Sequence, residues 1–264
     1  MGFWERTWQE RGDAIKLAYG ETSPKDTVES FSWEDDPFRC PGACALCLPP
    51  IPEGRDPIRH RRDDWLYLTM GLSQPLDKNE VKRRKAAGDS YSNFGIEFAF
   101  VVPEEAKWPM EALYFFMTYM IDGEDIKWGD RFPFIFHRKA DGQLEVYTGK
   151  YSGIRPFGAI RAVLFWPFLF PDWQLLTSTG KFMVMVATGI TQREWELAKQ
   201  TSTAHVLLLL CRAGITQRTL PERECLLASA RWQQEWENIQ AMSPEQCEKE
   251  IEAGFGRWHL ARPL

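Results

Sequence analysis

The chain has 264 residues, enough for one large domain or two smaller ones, and its 44% hydrophobic and 26% charged residues exclude an intrinsically disordered protein. Its formal net charge of −5 argues against a general nucleic-acid-binding protein, because such proteins need a basic face to displace counterions from phosphates. Aromatic residues make up 14% of the chain, including 12 tryptophans, which predicts a bulky aromatic core or an interface rich in rings.

The start of the chain and its apolar runs predict neither export nor a membrane span. No basic segment leads into an apolar one at the N-terminus. The longest apolar runs, residues 162–170 and 205–211, are far shorter than the roughly 20 residues that cross a bilayer. We therefore expect a cytoplasmic protein with no nucleic-acid and no membrane partner, whose six cysteines are thiols or metal ligands rather than disulfides.

The first quarter of the chain predicts two helices followed by a loop. Residues 3–19 have the apolar spacing of an amphipathic helix. Ser23 and Pro24 are typical of a helix start, and this second helix is expected to end near Phe31. Residues 33–62 contain six prolines and three cysteines, which predicts an irregular loop.

The middle of the chain predicts several strands and one apolar helix. The predicted strands are residues 65–70, 96–102, 132–137, 144–147, 162–170 and 181–187. Large apolar residues alternate along 96–102, which predicts one buried face, whereas the helix predicted at 108–121 is apolar nearly all round and belongs in a core. Residues 77–88 are polar and predict a solvated loop or a short helix. Two prolines in 162–170 favour an edge position for that strand.

The last third of the chain predicts helices. Thr191 and Glu194 have the spacing of a capping box, in which the two side chains bond each other's backbone amides, so a helix should follow. Further helices are expected at residues 203–212, from Pro221 onward, and over residues 243–254.

The order of these elements favours an α+β fold, because strands and helices do not alternate strictly. We expect a mixed, mostly antiparallel sheet packed with helices, with extra helices at both ends. The expected segments are residues 1–62, a helical segment and a loop rich in proline and cysteine; residues 63–220, the α/β core; and residues 221–264, C-terminal helices packed on that core.

Cys40, Cys44 and Cys47 form the sharpest candidate metal site. Three thiolates at spacings of four and three residues could bind one metal ion, and a zinc site would need a fourth ligand such as His60. The spacing also resembles the cluster motif of radical S-adenosylmethionine enzymes, but Leu46 stands where those enzymes carry an aromatic residue, and no repeated β/α pattern follows. Three reduced thiols in a loop, with no cofactor, are the simpler interpretation.

The sequence contains no recognisable catalytic motif. Its four histidines do not have metal-ligand spacing, and the position of His205 beside an apolar run indicates a core or boundary residue. There is no nucleophile elbow, phosphate-binding glycine loop or dinucleotide fingerprint. We therefore expect that the protein is not an enzyme and has no catalytic residues.

Two aromatic positions are candidates for partner binding. Trp33 is followed by Glu34, Asp35 and Asp36, and such an acidic strip suits a basic partner, since rings supply buried area and carboxylates supply steering. Trp173 closes a second aromatic stretch, part of which could contact a partner. The alternatives are a solvated surface for the acidic strip and a core position for the aromatic stretch.

Several short sequence pieces stand in a definite order between residues 65 and 215. They are WLYLTMGLS (65–73), SNFGIEFAF (92–100), WP (108–109), TSTGK (177–181) and VATGIT (186–191), the last followed by Glu194. This order resembles the Suppressor-of-fused-like domain. The resemblance implies a mixed α/β fold and a protein-binding role, and it carries over no catalytic residues.

The resemblance also implies a kind of partner. The animal members of the family bind and restrain a transcription factor, whereas bacterial members often resemble immunity proteins encoded beside a polymorphic or type VI secreted toxin. Since we expect the chain in the cytoplasm, its toxin should act there, and an acidic inhibitor would complement a basic nuclease. An adaptor or chaperone for a secreted effector is one alternative, and a metal-binding enzyme built on the three cysteines is another.

Overall fold

The computed structural model describes residues 2–19, 26–28, 44–48, 64–75, 77–121, 123–138, 144–147, 158–167, 174–215 and 217–258. The helices are α1 (Phe3–Tyr19), α2 (Lys78–Ala86), α3 (Trp108–Ile121), α4 (Gln192–Gln200), α5 (Thr203–Arg212), α6 (Ala230–Gln240) and α7 (Pro244–Trp258), with a 3-10 turn at Leu226–Ala228. The strands are β1 (Asp26–Val28), β2 (Cys44–Leu48), β3 (Trp65–Met70), β4 (Tyr91–Val102), β5 (Arg131–Pro133), β6 (Ile135–Arg138), β7 (Leu144–Tyr147), β8 (Ile160–Pro167), β9 (Gln174–Thr177) and β10 (Gly180–Thr191). Within these stretches, no helix is long and apolar enough to cross a membrane.

The strands form one large sheet and one hairpin. The hydrogen-bonded order of the large sheet is β1-β2-β3-β4-β10-β8-β5, and β9 pairs with β10. The pairings of β1 with β2, β2 with β3, β5 with β8, and β9 with β10 are antiparallel, as is the separate hairpin of β6 and β7. The predicted α+β fold with a mixed, mostly antiparallel sheet is therefore confirmed.

The chain divides into two compact units. Unit 1 comprises Met1–Phe100, Glu104–Asp125 and Phe170–Met185, and unit 2 comprises Val101–Pro103, Ile126–Leu169 and Val186–Leu264. The segments expected from the sequence, with boundaries after residues 62 and 220, stay a prediction.

Unit 1 has an aromatic core in which α3 contacts β2 and β3. The ring centroid of Phe116 on α3 lies 5.8 Å from that of Phe98 and 6.0 Å from that of Phe100 in β4. Trp108, at the start of α3, meets the Phe100 ring edge-on at 5.2 Å. Rings at these separations bury large apolar areas and favour tilted or edge-on contacts. The predicted core position of α3 is confirmed.

The predicted buried face of strand β4 is confirmed, and the opposite face is buried as well. Phe98 and Phe100 are 0% exposed as expected, but Ala99 is also 0% exposed and Glu97 only 1%. The large apolar residues lie on one buried face of β4, and the small or polar residues lie on the other buried face rather than in solvent. Glu97 tolerates burial because its carboxylate accepts hydrogen bonds from Thr69, Gly71 and Ser73.

Unit 2 is built around α5. All residues from Thr203 to Cys211 are buried, and α5 is contacted by α4, α6 and α7. Trp236 and Ile239, one turn apart on α6, belong to the same apolar cluster and are 6% and 0% exposed. A helix that is covered by three neighbours needs no polar face, which explains its run of four leucines.

Two predictions for the N-terminal segment are wrong. Residues 26–28, expected within a helix from Ser23, form β1, and residues 44–48, expected within a loop, form β2. Strand β1 pairs with β2, and β2 pairs with β3. Ladder bonds to distant parts of the chain override the local helix-start signal here, and the β-branched Thr27 and Val28 suit a strand.

Three further predictions are also wrong. Strand β8 lies between β10 and β5 rather than at an edge, and Pro167 is tolerated because it lies beyond the three residues of β8 that pair with β5. No helix starts at Pro221, because its carbonyl is held by the amide of Ala159 at 2.7 Å and the next α-helix is α6. Helix α7 continues past Gly254, since glycine costs only about 1 kcal/mol inside a helix.

Gly158 fixes the entry into β8. Its φ is +58°, and a Cβ there would lie 2.2 Å from the carbonyl oxygen of Pro221. Replacing Gly158 with alanine is expected to destabilise unit 2 by about 2–4 kcal/mol, since a left-handed alanine and an overpacked contact each add to the cost. Gly129→Ala is the matched control, because Gly129 has a φ of +84° but nothing within 4 Å of a Cβ. The free energy of unfolding is measured by urea denaturation, and an equal decrease for the two variants would contradict the steric explanation.

Candidate functional site

Helix α1 directs a polar side chain into unit 1. Thr7, Arg11 and Ile15 follow one another at intervals of four and are buried, whereas Trp4 and Trp8 are only half-buried. Arg11 is 0% exposed although it carries a charge. The predicted helix is confirmed, but its innermost stripe contains a cation rather than the tryptophans.

The Arg11 guanidinium donates hydrogen bonds to several segments of unit 1. Its Nε donates to Ser73 Oγ at 3.1 Å, and one terminal nitrogen donates to the Ser73 carbonyl. The same terminal nitrogen donates to Ser92 Oγ at 2.6 Å and to Thr179 Oγ1 at 3.2 Å. The other terminal nitrogen donates to the Thr7 carbonyl at 2.9 Å. The guanidinium is therefore surrounded by oxygen acceptors.

Glu97 of β4 supplies the matching negative charge. Its Oε1 accepts hydrogen bonds from the amides of Gly71 and Ser73, each at 2.9 Å, and from Ser73 Oγ at 2.7 Å. Its Oε2 accepts from Thr69 Oγ1 at 2.7 Å. Ser73 Oγ thus accepts from Arg11 and donates to Glu97, so one hydroxyl connects a buried cation with a buried anion.

We call Arg11, Ser73, Ser92, Glu97 and Thr179 the Arg11 network. Burial lowers the pKa of Arg11 to about 10, and the negative charge of Glu97 opposes that shift. The guanidinium therefore stays protonated at neutral pH. Because an isolated buried charge costs several kcal/mol, the Arg11 and Glu97 charges depend on each other.

The Arg11 network is connected through Gln74 to a surface cleft. Gln74 Nε2 donates to Thr7 Oγ1 on α1, and the Gln74 carbonyl accepts a hydrogen bond from Asn93 Nδ2 at 2.8 Å. Asn93 has a φ of +49°, a left-handed conformation that asparagine adopts more readily than most residues. Its side chain is fixed by Gln74, and it forms part of the lining of the cleft.

The cleft lies among α2, the start of β4 and the end of α3, and we call it the α2 cleft. Its volume is about 570 Å³, within the range of about 300–1,000 Å³ that is typical of ligand pockets. Its charged side includes Arg83, Arg84 and Asp89, and its apolar side consists of Phe94, Met120 and Ile121. An apolar surface next to a few placed charges is the usual composition of a binding site.

Arg84 fixes the charged side of the α2 cleft. Its Nε lies 3.0 Å from Glu80 Oε1, and a terminal nitrogen lies 2.7 Å from Asp89 Oδ2. About one-third of the Arg84 side chain is exposed, so solvent screens these pairs and each stabilises the fold by less than about 1 kcal/mol. Their main effect is to hold the three side chains in place.

Unit 2 contains a buried ion pair. Glu194, which is 0% exposed, accepts hydrogen bonds from both terminal nitrogens of Arg223, at 2.6 and 2.5 Å. It also accepts from the amides of Thr191 at 2.9 Å and Leu226 at 3.3 Å, which confirms the predicted capping box. Burial alone would raise the pKa of Glu194, but Arg223 and the two amides outweigh burial and hold the pKa below its ordinary value.

The predicted partner-binding residues all lie outside the described stretches. They are Trp33, Glu34, Asp35, Asp36 and Trp173. Their role in partner binding stays a prediction.

Two of the predicted metal ligands belong to a strand. Cys44 and Cys47 are part of β2, and Cys47 is 3% exposed, whereas Cys40 and His60 lie outside the described residues. Across the part of the chain that the structure describes, no three His, Cys, Asp or Glu side chains are grouped so that they could hold a metal ion. A zinc site that includes Cys40 stays a prediction.

His205 is a core residue, as predicted. It is 3% exposed, and its Nδ1 lies 2.7 Å from Ser202 Oγ while its Nε2 lies 2.9 Å from the Met242 carbonyl oxygen. Both ring nitrogens therefore have hydrogen-bond partners, and the side chain anchors α5 to the turn between α6 and α7.

Sequence reasoning missed both the Arg11 network and the α2 cleft. The signal for the network was the spacing of Thr7, Arg11 and Ile15, which is typical of one helix face but was masked by the neighbouring tryptophans. The signal for the cleft was weaker, because its charged side and its apolar side belong to elements that are far apart in the sequence.

Comparisons with known proteins agree on one family. A sequence model of the Suppressor of fused protein (SUFU) matches residues 52–224, whereas no curated protein matches. A chain of the Sufu–Fu complex crystal structure superposes with a TM-score of 0.54 at 17% identity, covering 98% of both chains. Drosophila Suppressor of Fused superposes with a TM-score of 0.54 at 16% identity, and the match covers 96% of this chain and 53% of the Drosophila chain. A SUFU homologue from Neisseria gonorrhoeae FA 1090 superposes with a TM-score of 0.50 at 14% identity, and the match covers 83% of this chain and 96% of the homologue.

The sequence match and the structural likeness carry different information. At these identities the structural neighbours show the fold alone. The family model, in contrast, covers more than half of the chain and contains all the sequence pieces that stand in the family order. The chain therefore belongs to the Suppressor of fused protein family.

Proposed function

We propose that the chain is an immunity protein that binds and neutralises a cognate secreted bacterial toxin acting in the cytoplasm, such as a nuclease effector. Membership of the Suppressor of fused family is the observation that carries the proposal. A chain of the Sufu–Fu complex shares this fold over 98% of its length, which supports a role for the fold in protein binding. The bacterial homologue of known structure is consistent with a bacterial role.

The chemistry of the buried polar groups also supports binding rather than catalysis. In the described residues, Arg11, Glu97 and Glu194 all direct their hydrogen bonds to other groups of the fold. His205 has partners on both ring nitrogens. A general acid or base needs to reach a substrate, and these groups are occupied by the protein itself.

Co-expression tests the proposal directly. The toxin encoded beside this chain should stop growth when it is expressed alone, and co-expression of the chain should restore growth by at least a hundredfold in colony counts. The two proteins should also co-purify in a fixed stoichiometry. Alanine in place of Trp33, or in place of Glu34, Asp35 and Asp36 together, should weaken the growth rescue if the acidic strip binds the toxin. Lys249→Ala on α7 is the control.

The outcomes separate the proposed function from its alternative. A stable complex that does not restore growth would identify an adaptor or chaperone for the effector. Growth arrest that persists without any complex would contradict the proposed function.

A further inference from the structure

Arg83 places an exposed cation at the α2 cleft. Arg84 is paired with Glu80 and Asp89, and Lys85 on the same helix donates to the Ser178 carbonyl at 3.2 Å. Within the described part of the chain, the guanidinium of Arg83 has no bonding partner, and its side chain is exposed at the cleft. A planar guanidinium in this state is suited to bind a carboxylate through two parallel hydrogen bonds.

The charge around Arg83 is opposite in sign to that of the whole chain. Helix α2 carries five basic residues and one acidic residue, Glu80, in a chain whose net charge is −5. The basic helix therefore forms a local positive surface that attracts negatively charged groups. Asp77 caps the helix by accepting hydrogen bonds from the amides of Asn79 and Glu80, so the positive surface lies on a rigid element.

The other side of the cleft selects against a highly charged anion. Phe94, Met120 and Ile121 present apolar atoms, and the carboxylates of Glu80 and Asp89, which pair with Arg84, line the same cleft as Arg83. A phosphate group or a nucleic-acid backbone carries more negative charge than a single carboxylate, so Glu80 and Asp89 would repel it more strongly. It would also leave the apolar side of the cleft uncovered. A single carboxylate next to an apolar side chain fits both sides at once.

We propose that the α2 cleft is the docking site for an acidic, apolar segment of the partner protein. An apolar side chain of the segment covers Phe94, Met120 and Ile121, and a carboxylate one or two residues away pairs with Arg83. This inference rests on the proposed function, because it identifies the part of the protein partner that the cleft binds. The fixed positions of Arg84 and Asn93 reduce the ordering needed on binding and so favour affinity.

The first experiment uses the complex with the toxin. Arg83→Glu is expected to raise the dissociation constant at least tenfold, measured by isothermal titration calorimetry at low salt. Lys82→Glu is the matched control, since it makes the same charge change on the same exposed helix outside the lining of the cleft, and it should change the constant less than threefold. Circular dichroism should show that both variants are folded.

The second experiment uses the chain alone with labelled hexapeptides. A peptide of two leucines flanked by glutamates should bind by fluorescence anisotropy. The same peptide with lysines for glutamates, or with serines for leucines, should bind at least tenfold more weakly. Arg83→Glu should abolish the preference for the acidic peptide.

The two experiments distinguish failure of the inference from failure of the proposed function. A complex that forms equally well with Arg83→Glu and Lys82→Glu would overturn the docking site and leave the immunity role intact. Absence of any complex would contradict the immunity role, and the peptide titration would then decide the docking site by itself. Equal binding of the acidic and basic peptides would overturn it.

Discussion

Replacing Arg11 with methionine is expected to destabilise unit 1 by about 3–5 kcal/mol, the usual cost of removing one partner from a buried charge pair. Methionine fills a similar volume, but it leaves Glu97 as a buried anion without its cation. It also leaves the oxygens of Ser73, Ser92 and Thr179 without the donor that they share. Amide hydrogen exchange in α1, β3 and β4 gives the local free energy of opening and is the appropriate measurement.

Two variants test the reason for this loss. Arg6→Met changes an exposed arginine of the same helix and should cost less than about 0.5 kcal/mol, as most surface substitutions do. The double variant Arg11→Met, Glu97→Gln should be more stable than the sum of the two single losses predicts, because it removes both charges. Additive losses would show that the charges of Arg11 and Glu97 are not coupled.

Replacing Glu194 with glutamine is expected to destabilise unit 2 by about 3–5 kcal/mol at neutral pH, because Arg223 is then buried without its anion. The loss should depend on pH. A carboxyl group whose pKa is lowered in the folded state stabilises the fold above its unfolded pKa and loses this effect as the pH falls through the folded pKa. The ordinary pKa is 4.5, so the difference between the wild type and Glu194→Gln should shrink progressively below pH 4.5.

The measurement is the free energy of unfolding in urea between pH 3 and 7, followed by a probe in α4 or α5. Glu196→Gln, an exposed change on the same helix α4, is the control and should follow the wild type over the whole range. If the free energies of unfolding of the wild type and Glu194→Gln differ by a constant amount below pH 4.5, the lowered pKa of this carboxyl group is contradicted.

Elements with a strong local period could be predicted from the sequence, and elements that depend on distant partners could not. The apolar run of α3 and the capping box before α4 are local signals, and the structure confirms both. Strand β1 has only three residues, and its existence depends on pairing with β2 about 20 positions away. Local signals indicated a helix where β1 lies and a proline-rich loop where β2 lies, since no local pattern reveals such a pairing.

The polar sites could be predicted only in part for a related physical reason. The sequence pieces that carry the family resemblance are in hydrogen-bonding contact in unit 1, where Thr69 and Ser73 from one piece donate to Glu97 from another. The resemblance found these residues without revealing that they meet. Arg11 lies outside the pieces, and only the folded chain shows that it completes their charge balance.

The position of Arg11 also affects where the protein can be cut. The family match starts at residue 52, whereas the cation that neutralises Glu97 lies 41 residues before that boundary. A fragment limited to residues 52–224 would keep the buried carboxylate and lose its counter-ion, and it would also lose α6 and α7, which cover α5. The smallest autonomously folding piece is therefore larger than the stretch that family comparison recognises, and domain boundaries for expression should be set by charge balance and helix coverage.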